Sequence, residues 1–173
     1  YCSRKVDLEG EKDVLILGMG SIGACLAQYL KTTYPLLNIT VLTSSEEKKN
    51  RLKMLGISAT SLKEISKLED HFDVVFETSG FTDNFKAGLS ALKPTGIAMV
   101  YGVFQSEMLF DFNQVSEFKE LTLRGGHLAD DASFDLSIKF LTKHQDELDY
   151  LISNIVGFEN FTSAFSDSRF SHF

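Results

Sequence analysis

Short, uninterrupted apolar runs alternate along this chain with longer segments in which apolar residues recur every three or four positions. A run without polar alternation is typical of a parallel strand that helices cover on both faces, whereas the wider spacing is typical of a helix with one buried face. The runs that predict strands cover residues 14–17, 36–42, 57–60, 72–77, 97–102 and 121–125.

Helices are predicted between these strands and after the last one. The expected positions are from just after Gly20 to Pro35, residues 46–55, 62–68 and 85–92, from Asp131 onward, and residues 158–165. Because strands and helices alternate, we predict an α/β fold of the Rossmann type, with a doubly wound, parallel, six-stranded sheet and helices on both faces. The length of 173 residues suits a single domain, so residues 1–173 are expected to form one.

Three glycines lie between the first predicted strand and the first predicted helix. Gly18, Gly20 and Gly23 have the GxGxxG spacing of a dinucleotide-binding turn. The first glycine allows the tight turn, the second lets a pyrophosphate approach the backbone, and the third lets the helix approach the strand. Because a helix N-terminus also attracts anions, we predict that these glycines, with Ser21 and Ile22, bind a dinucleotide. The alternative is a glycine-rich turn of some other α/β domain.

The end of the second predicted strand decides between NAD and NADP. An NAD-binding domain usually carries Asp or Glu there, about 20 residues after the glycines, for the ribose 2′-hydroxyl. This chain has small hydroxyl residues and then an ammonium group, namely Thr43, Ser44, Ser45 and Lys48. These four residues suit a 2′-phosphate, which a carboxylate would repel, so they favour NADP and leave NAD as the alternative.

The same stretch also matches a purely structural pattern. Thr43 with Glu46, and Ser44 with Glu47, have the spacing of a helix capping box. The lysines that follow also fit a solvated helix face. The two interpretations are compatible, because a capping hydroxyl can also donate to a phosphate.

Small or flexible residues end two later strands on the same side of the predicted sheet. Ser79 and Gly80 follow one strand, and Gly102 and Val103 follow the next. A flat nicotinamide ring lying against backbone needs such residues, although ordinary strand-end turns use them too. Glu77 is a candidate partner for a ribose, and solvent or a helix N-terminus would satisfy it equally well.

A catalytic centre is not visible in the sequence. His127 is the only histidine near the expected ligand side, and a lone histidine is more often a surface or packing residue. No nucleophile and base pair, no paired carboxylates and no cluster with metal-ligand spacing occur. We therefore assign no catalytic residue and no metal ligand.

Composition narrows the choice of partner and compartment. The formal net charge is −7 and basic residues do not cluster, so nucleic acid is not expected. The 2 cysteines lack metal or redox spacing, no apolar run has the length of a membrane span, and no targeting segment opens the chain. We expect a cytoplasmic protein. Because the chain begins with Tyr1 rather than Met, we also expect it to be a piece of a longer one.

Six segments in order resemble the cofactor-binding half of the medium-chain dehydrogenase/reductase superfamily, which includes the zinc-type alcohol and polyol dehydrogenases. The resemblance runs from about Val14 to Asp167. The segments are VLILGMGSIG, EEKKNRLKMLG, FDVVFETSG, LKPTGIAMVYG, KELTLRGG and FENFTSAFSD.

The resemblance implies hydride transfer between a nicotinamide and a small alcohol or carbonyl substrate. It places Thr43 and Ser44 at the adenosine ribose, and Gly80, Gly102 and Val103 near the nicotinamide. In this family a separate catalytic domain supplies the substrate pocket and, in zinc-dependent members, the zinc ligands. This piece is therefore expected to be inactive alone, with any zinc in the missing domain, and to form a homodimer through the edge of its sheet.

Two other functions compete with this one. A nucleotide-sensing Rossmann domain of the kind that gates potassium transport has a similar opening strand. Such a regulator would normally keep an acidic residue where Thr43 stands, and the segments LKPTGIAMVYG and KELTLRGG would be unexplained. A catalytically silent scaffold is the second alternative.

Overall fold

The structure is a computed structural model that describes residues 1–152 and 155–166. They belong to two compact units, Tyr1–Ala129 and Asp130–Phe173. The strands of the first unit are β1 (Lys12–Leu17), β2 (Leu37–Leu42), β3 (Ser58–Thr60), β4 (Phe72–Glu77), β5 (Leu92–Val100) and β6 (Thr122–Gly125). Within the described residues these six strands form one sheet in the order β3-β2-β1-β4-β5-β6, and every neighbouring pair is parallel. The predicted Rossmann-type fold is confirmed.

Helices lie between these strands and after the last one. Those of the first unit are α1 (Ser21–Thr33), α2 (Glu46–Met54), α3 (Leu62–Ile65) and α4 (Thr82–Ala91), and those of the second are α5 (Asp131–Lys143) and α6 (Phe161–Ser166). In the described part of the chain, no helix combines the length and the apolar character needed to cross a membrane. The end of the resembling stretch, at Asp167, lies outside the described residues.

The core of the first unit lies around the two central strands. Residues 14–17 of β1 are fully buried, and Phe72 and Phe76 of β4 are 1% exposed. Helix α4 packs closely on these strands at Gly88, where a Cβ would lie 2.7 Å from Cδ1 of Leu17. The unbroken apolar runs therefore form strands because both faces of the sheet are covered.

The strand order reverses direction between β1 and β4. The chain leaves β1 toward β2 and β3 on one side, and β4 begins the other half of the sheet. In open α/β sheets, the loops on the two sides of such a point diverge and leave a crevice outside the carboxyl ends of the strands. The loops after β1, β2, β4 and β5 therefore border the candidate site.

Strand β5 begins earlier than the sequence predicts. Residues 94–96, which the sequence pattern leaves between a predicted helix and a predicted strand, lie inside β5, where the register with β4 shifts between Phe72 and Val74. Thr95 takes a left-handed conformation with φ of +64°, and its N–H donates to the carbonyl of Lys119 at 2.6 Å. The extra residues bulge out of the ladder, so pairing continues on both sides of them.

An ion-pair network ties strands together at the opposite, amino edge of the sheet. Lys93 Nζ lies 3.0 Å from Oδ2 of Asp13 and 2.9 Å from Oδ2 of Asp73. The backbone N–H of Asp13 also donates to Asp73 at 2.8 Å. Burial works to raise the pKa of Asp73, but the Asp13 amide and the Lys93 ammonium outweigh it and lower that pKa. The hydrogen bond with Asp73 raises the pKa of Lys93.

We expect Lys93→Met to lower the free energy of unfolding at neutral pH by about 0.5–1 kcal/mol, a modest loss because solvent screens these partly exposed groups. The lowered pKa of Asp73 means that its contribution is complete above the unfolded-state value, roughly 3.9, and disappears as the pH falls through the folded-state pKa. The raised pKa of Lys93 means that its contribution is complete below roughly 10.4 and disappears as the pH rises through the folded-state pKa.

Urea unfolding of the two proteins across the pH range measures this difference. The difference in the free energy of unfolding between wild type and Lys93→Met should be largest between those two pKa values and should vanish in strong acid. Lys53→Met, which removes an exposed lysine at the end of α2, is the matched control and should leave the free energy of unfolding close to that of the wild type. A difference that is the same at every pH would contradict a contribution of these ion pairs to stability.

Candidate functional site

Gly18 ends β1 in a conformation that requires glycine. Its φ is +100°, and its N–H donates to the carbonyl of Leu42 at 3.1 Å. A Cβ at this position would lie 2.8 Å from Cβ of Ser79. Both the backbone angle and the available space therefore exclude a side chain, in agreement with the tight turn predicted here.

Gly20 and Gly23 serve the start of α1 in different ways. Gly20 is the N-cap, and its φ of −79° and ψ of −171° suit any residue. A Cβ at Gly23 would lie 2.1 Å from the carbonyl oxygen of Gly18 and 2.9 Å from Oγ1 of Thr78. Glycine is therefore needed for packing at Gly23, whereas at Gly20 the backbone geometry does not require it.

The first turn of α1 is open to a ligand. Ser21 is exposed, and Ile22 is 48% exposed. The first N–H groups of a helix have no partner within it, and the N-cap glycine has no side chain to satisfy them. The structure thus presents the predicted residues as a helix N-terminus, a geometry that suits an anion.

The loop after β2 uses its first hydroxyl internally. Thr43 is 6% exposed, its N–H donates to the carbonyl of Thr60 at 3.0 Å, and its Oγ1 accepts from the N–H of Ser45 at 3.3 Å. Ser44 is exposed. Thr43 therefore shapes the loop, while the next residue faces solvent.

The predicted capping boxes at this loop are wrong. Helix α2 begins at Glu46, and its N-cap is Ser45, whose Oγ accepts from the backbone N–H of Lys48 at 3.3 Å. A box with Thr43 or Ser44 as the cap would need the helix to start earlier. The hydroxyl of Thr43 instead stabilises the tight turn that precedes the helix.

The two adjacent lysines of α2 point in different directions. Lys48 Nζ donates to the carbonyl of Met19, inside the glycine turn, at 2.8 Å. Lys49 Nζ bonds to Glu46 Oε1 at 2.7 Å, and this hydrogen bond raises the pKa of Lys49. Only the Lys48 contact brings a positive charge to the candidate site. The sequence alone does not distinguish Lys48 from Lys49 in this respect.

The loops after β4 and β5 interlock. Gly80 has φ of +70°, and a Cβ there would lie 2.3 Å from the carbonyl oxygen of Val103. A Cβ at Gly102 would lie 2.1 Å from Oε2 of Glu77. The structure thus brings together the residues predicted on these two loops, and Val103 is 87% exposed beside them.

Glu77 is not available to a ribose. Its side chain is fully buried, and Oε1 accepts from the N–H of Ser79 at 2.9 Å, from Oγ of Ser79 at 2.6 Å and from the N–H of Gly80 at 3.0 Å. This internal role of Glu77 was not predicted from the sequence. The sequence feature that could have indicated it is a carboxylate at the end of a buried strand, directly followed by three small, turn-forming residues.

The next features are the side chains that could carry acid–base or metal chemistry near this edge of the sheet. His127 is exposed. Among residues 1–152 and 155–166, no three His, Cys, Asp or Glu side chains lie close enough together to hold a metal ion. A zinc ion therefore does not fit the described part of the chain.

The residues present do fit an extended ligand with a negatively charged middle. The open helix N-terminus lies at the centre of the carboxyl edge, because α1 follows the central strand β1. The Lys48 ammonium lies on the β2 side, and the interlocked glycine loops lie on the β4 and β5 side. A dinucleotide has this distribution of charge and shape.

Comparison with known proteins gives a consistent picture. The family model described as Zinc-binding dehydrogenase matches residues 21–143. L-threonine 3-dehydrogenase of Pyrococcus furiosus is 31% identical over 125 residues, covering 66% of this chain and 35% of that protein. Sorbitol dehydrogenase of Halalkalibacterium halodurans is 27% identical over 151 residues, covering 82% of this chain and 44% of that protein. The chain therefore spans less than half the length of either relative.

A solved structure has the same fold. Glucose dehydrogenase from Haloferax mediterranei, in complex with NADP, Zn and gluconolactone, matches with a TM-score of 0.76 at 17% sequence identity. The match covers 96% of this chain and 50% of that one. At this level of identity, the similarity establishes the fold.

The glycines make separable predictions. Gly20→Thr should leave the thermal midpoint near that of the wild type, because the backbone angles there suit a β-branched residue and Thr is about as good an N-cap as Gly, yet it should abolish dinucleotide binding. Gly23→Ala should lower the free energy of unfolding by about 1–3 kcal/mol, because its methyl group would overlap the Gly18 carbonyl. Thermal denaturation and calorimetric titration with NADPH measure the two effects. Undiminished binding by the Gly20 variant would refute the pyrophosphate cradle.

Proposed function

The chain belongs to the zinc-binding dehydrogenase family, and from that premise we propose that it is the nicotinamide dinucleotide-binding part of an alcohol or polyol dehydrogenase or reductase. The complete enzyme would transfer a hydride between the nicotinamide and a small alcohol or carbonyl substrate. The observation that carries the proposal is the glycine turn, which leads into an open helix N-terminus at the point where the strand order reverses. A nucleotide sensor of another family would leave the family match unexplained.

The cofactor would lie along the carboxyl edge of the sheet. Its pyrophosphate would bind the N–H groups of α1 beside Gly18 and Gly20, with Ser21, Ile22 and Gly23 in the first turn. The adenosine half would extend over the loop after β2. The nicotinamide would lie over the loops that contain Gly80 and Gly102, which approach each other too closely for a side chain at either glycine.

We propose NADP as the preferred cofactor, with NAD as the alternative. The loop after β2 has the hydroxyls of Thr43, Ser44 and Ser45 in place of the carboxylate that holds a ribose 2′-hydroxyl. Lys48 already lies against the glycine turn, so a 2′-phosphate would exchange a carbonyl partner for a charged one. The related glucose dehydrogenase structure, which contains NADP, supports this choice.

Substrate and zinc would belong to the rest of the enzyme. The relatives are more than twice as long as the stretch that they share with this chain. The described residues offer no group of metal ligands, so any zinc would be bound by that additional length. The chain by itself is therefore expected to bind the cofactor and to turn over no substrate.

The test of the cofactor assignment compares two neighbouring lysines. In a titration at matched salt, the wild type should bind NADPH more tightly than NADH. Lys48→Met should weaken NADPH binding roughly tenfold, the loss expected for one charge-assisted hydrogen bond, and should weaken NADH binding less, because NADH has no 2′-phosphate. Lys49→Met is the matched control and should change neither. Tighter binding of NADH would refute the NADP assignment, and absence of binding to both would favour a silent scaffold.

We also propose that two copies pair through the β6 edge of the sheet. Strand β6 lies at one end of the strand order, and its residues are exposed, with Leu123 at 38%. An open strand edge is a template for a second chain. The aromatic segment at residues 104–118 is only partly available for pairing: Phe104 packs against Phe85 with ring centroids 5.6 Å apart, whereas Phe112 is 69% exposed.

Light scattering tests this pairing. The wild type should have twice the mass of the chain, and Leu123→Lys should have the mass of one chain, because a charge at the edge would be buried on pairing. Met54→Lys is the control, since Met54 is 87% exposed on α2 and should tolerate a charge without changing the mass. A monomeric wild type at micromolar concentration would contradict the proposal.

A further inference from the structure

Glu77 is a fully buried acidic residue at the carboxyl end of a central strand. Its carboxylate is stabilised by hydrogen-bond donors of the adjoining turn rather than by a positive side chain: the N–H groups of Ser79 and Gly80 and the hydroxyl of Ser79. Burying a carboxylate is costly unless such donors are held in place. The carboxylate and the turn therefore fix each other.

The same residue binds the neighbouring loop through its main chain. The carbonyl oxygen of Glu77 accepts from the N–H groups of Tyr101 and Gly102, both at 2.9 Å. Its Oε2 occupies the space in which a Cβ of Gly102 would lie. Glu77 thus joins two loops, the β4 loop through its side chain and the β5 loop through its backbone.

Ser79 extends this link in two directions. Its Oγ donates to Glu77 and accepts from the N–H of Phe81 and from Nδ2 of Asn84, each at 3.2 Å, at the start of α4. Its Cβ limits the space at Gly18 on the other side. The position of the carboxylate therefore sets the position of Ser79, between the glycine turn and the loops of the nicotinamide side.

We propose that Glu77 is a positioning residue that sets the surface on which the nicotinamide end of the cofactor lies, without touching the cofactor itself. The inference rests on the proposed function. It predicts that a change at Glu77 disturbs only the nicotinamide half of the dinucleotide site. The adenosine half of the site is formed by a different loop, which is fixed by its own hydrogen bonds at Thr43, Ser45 and Lys48.

Glu77→Gln is the most informative variant because it nearly preserves the volume. A carboxylate presents two acceptor oxygens, whereas an amide presents one oxygen and a donor NH₂ group. The remaining oxygen can accept from Ser79. The NH₂ group would then face the N–H of Gly80, so that two donors meet, whereas in the native protein this N–H approaches both carboxylate oxygens. The β4 loop should therefore shift while the strand beneath it stays in place.

The experiment titrates the full chain with two probes, NADPH and adenosine 2′,5′-bisphosphate, which contains only the adenosine half. Glu77→Gln should weaken NADPH binding about tenfold and leave the affinity for the bisphosphate within about twofold. The fluorescence of bound NADPH should also change, because it reports the surroundings of the nicotinamide ring. Glu64→Gln is the matched control: Glu64 also accepts a backbone N–H and a hydroxyl, both from Ser61 at 2.9 Å, but at the exposed start of α3. It should change neither affinity.

The outcomes separate the inference from the proposed function. If the wild type binds neither probe, the proposed function fails. If the wild type binds both and Glu77→Gln weakens both equally or neither, then Glu77 has a general structural role or none, and the inference is overturned. Should Glu77→Gln fail to fold, Glu77→Asp decides, because it keeps the charge but withdraws the carboxylate from Gly80. It should show the same selective loss of NADPH binding and the same change in fluorescence.

Discussion

The close approach of backbone turns at the carboxyl edge of the sheet is the constraint on which the candidate site depends. At Gly18, Gly23 and Gly80 an added Cβ would lie within 2.1–2.8 Å of a neighbouring atom. Loops that approach so closely leave no room for side chains between them, and the N–H groups of Gly18, Gly80 and Gly102 are used within the turns themselves. The donors left for a phosphate are the first N–H groups of α1, where the N-cap glycine adds no side chain.

Charge is distributed at this edge so that the anion and the carboxylate do not compete. The acidic side chain nearest the glycine loops, Glu77, is fully buried and saturated by donors of its own turn. The positive side chain of Lys48 instead lies at the mouth of the site, against Met19. Ligand phosphates would therefore meet a helix N-terminus and an ammonium group, while the carboxylate of Glu77 is hydrogen-bonded within its own turn.

The residues of the candidate site differ in how well the sequence predicted them. The structure agrees with the tight turn predicted at Gly18 and the close packing predicted at Gly23, since a turn with positive φ or a close contact has few solutions and glycine is nearly always one of them. The role of Gly20 at a pyrophosphate stays a prediction. The hydroxyl residues were placed on the right loop, but the capping boxes predicted for Thr43 and Ser44 were wrong, because Thr43 turns inward and Ser45 caps the helix. Glu77 was assigned to the right edge of the sheet, yet its orientation depends on how two loops fold over it.

The sequence by itself determined the fold class, the order of strands and helices, and the position of the glycine turn. These depend on local patterns, because apolar runs, helical spacing and glycine preferences act over a few neighbouring residues. The tertiary structure decided which lysine reaches the glycine turn, where the carboxylate of Glu77 points, and how Lys93 ties β5 to β1 and β4. These depend on contacts between residues as far apart as 29 positions, as for Lys48 and Met19, or 80, as for Lys93 and Asp13. The direction of a side chain toward such a distant partner is fixed only when the sheet assembles.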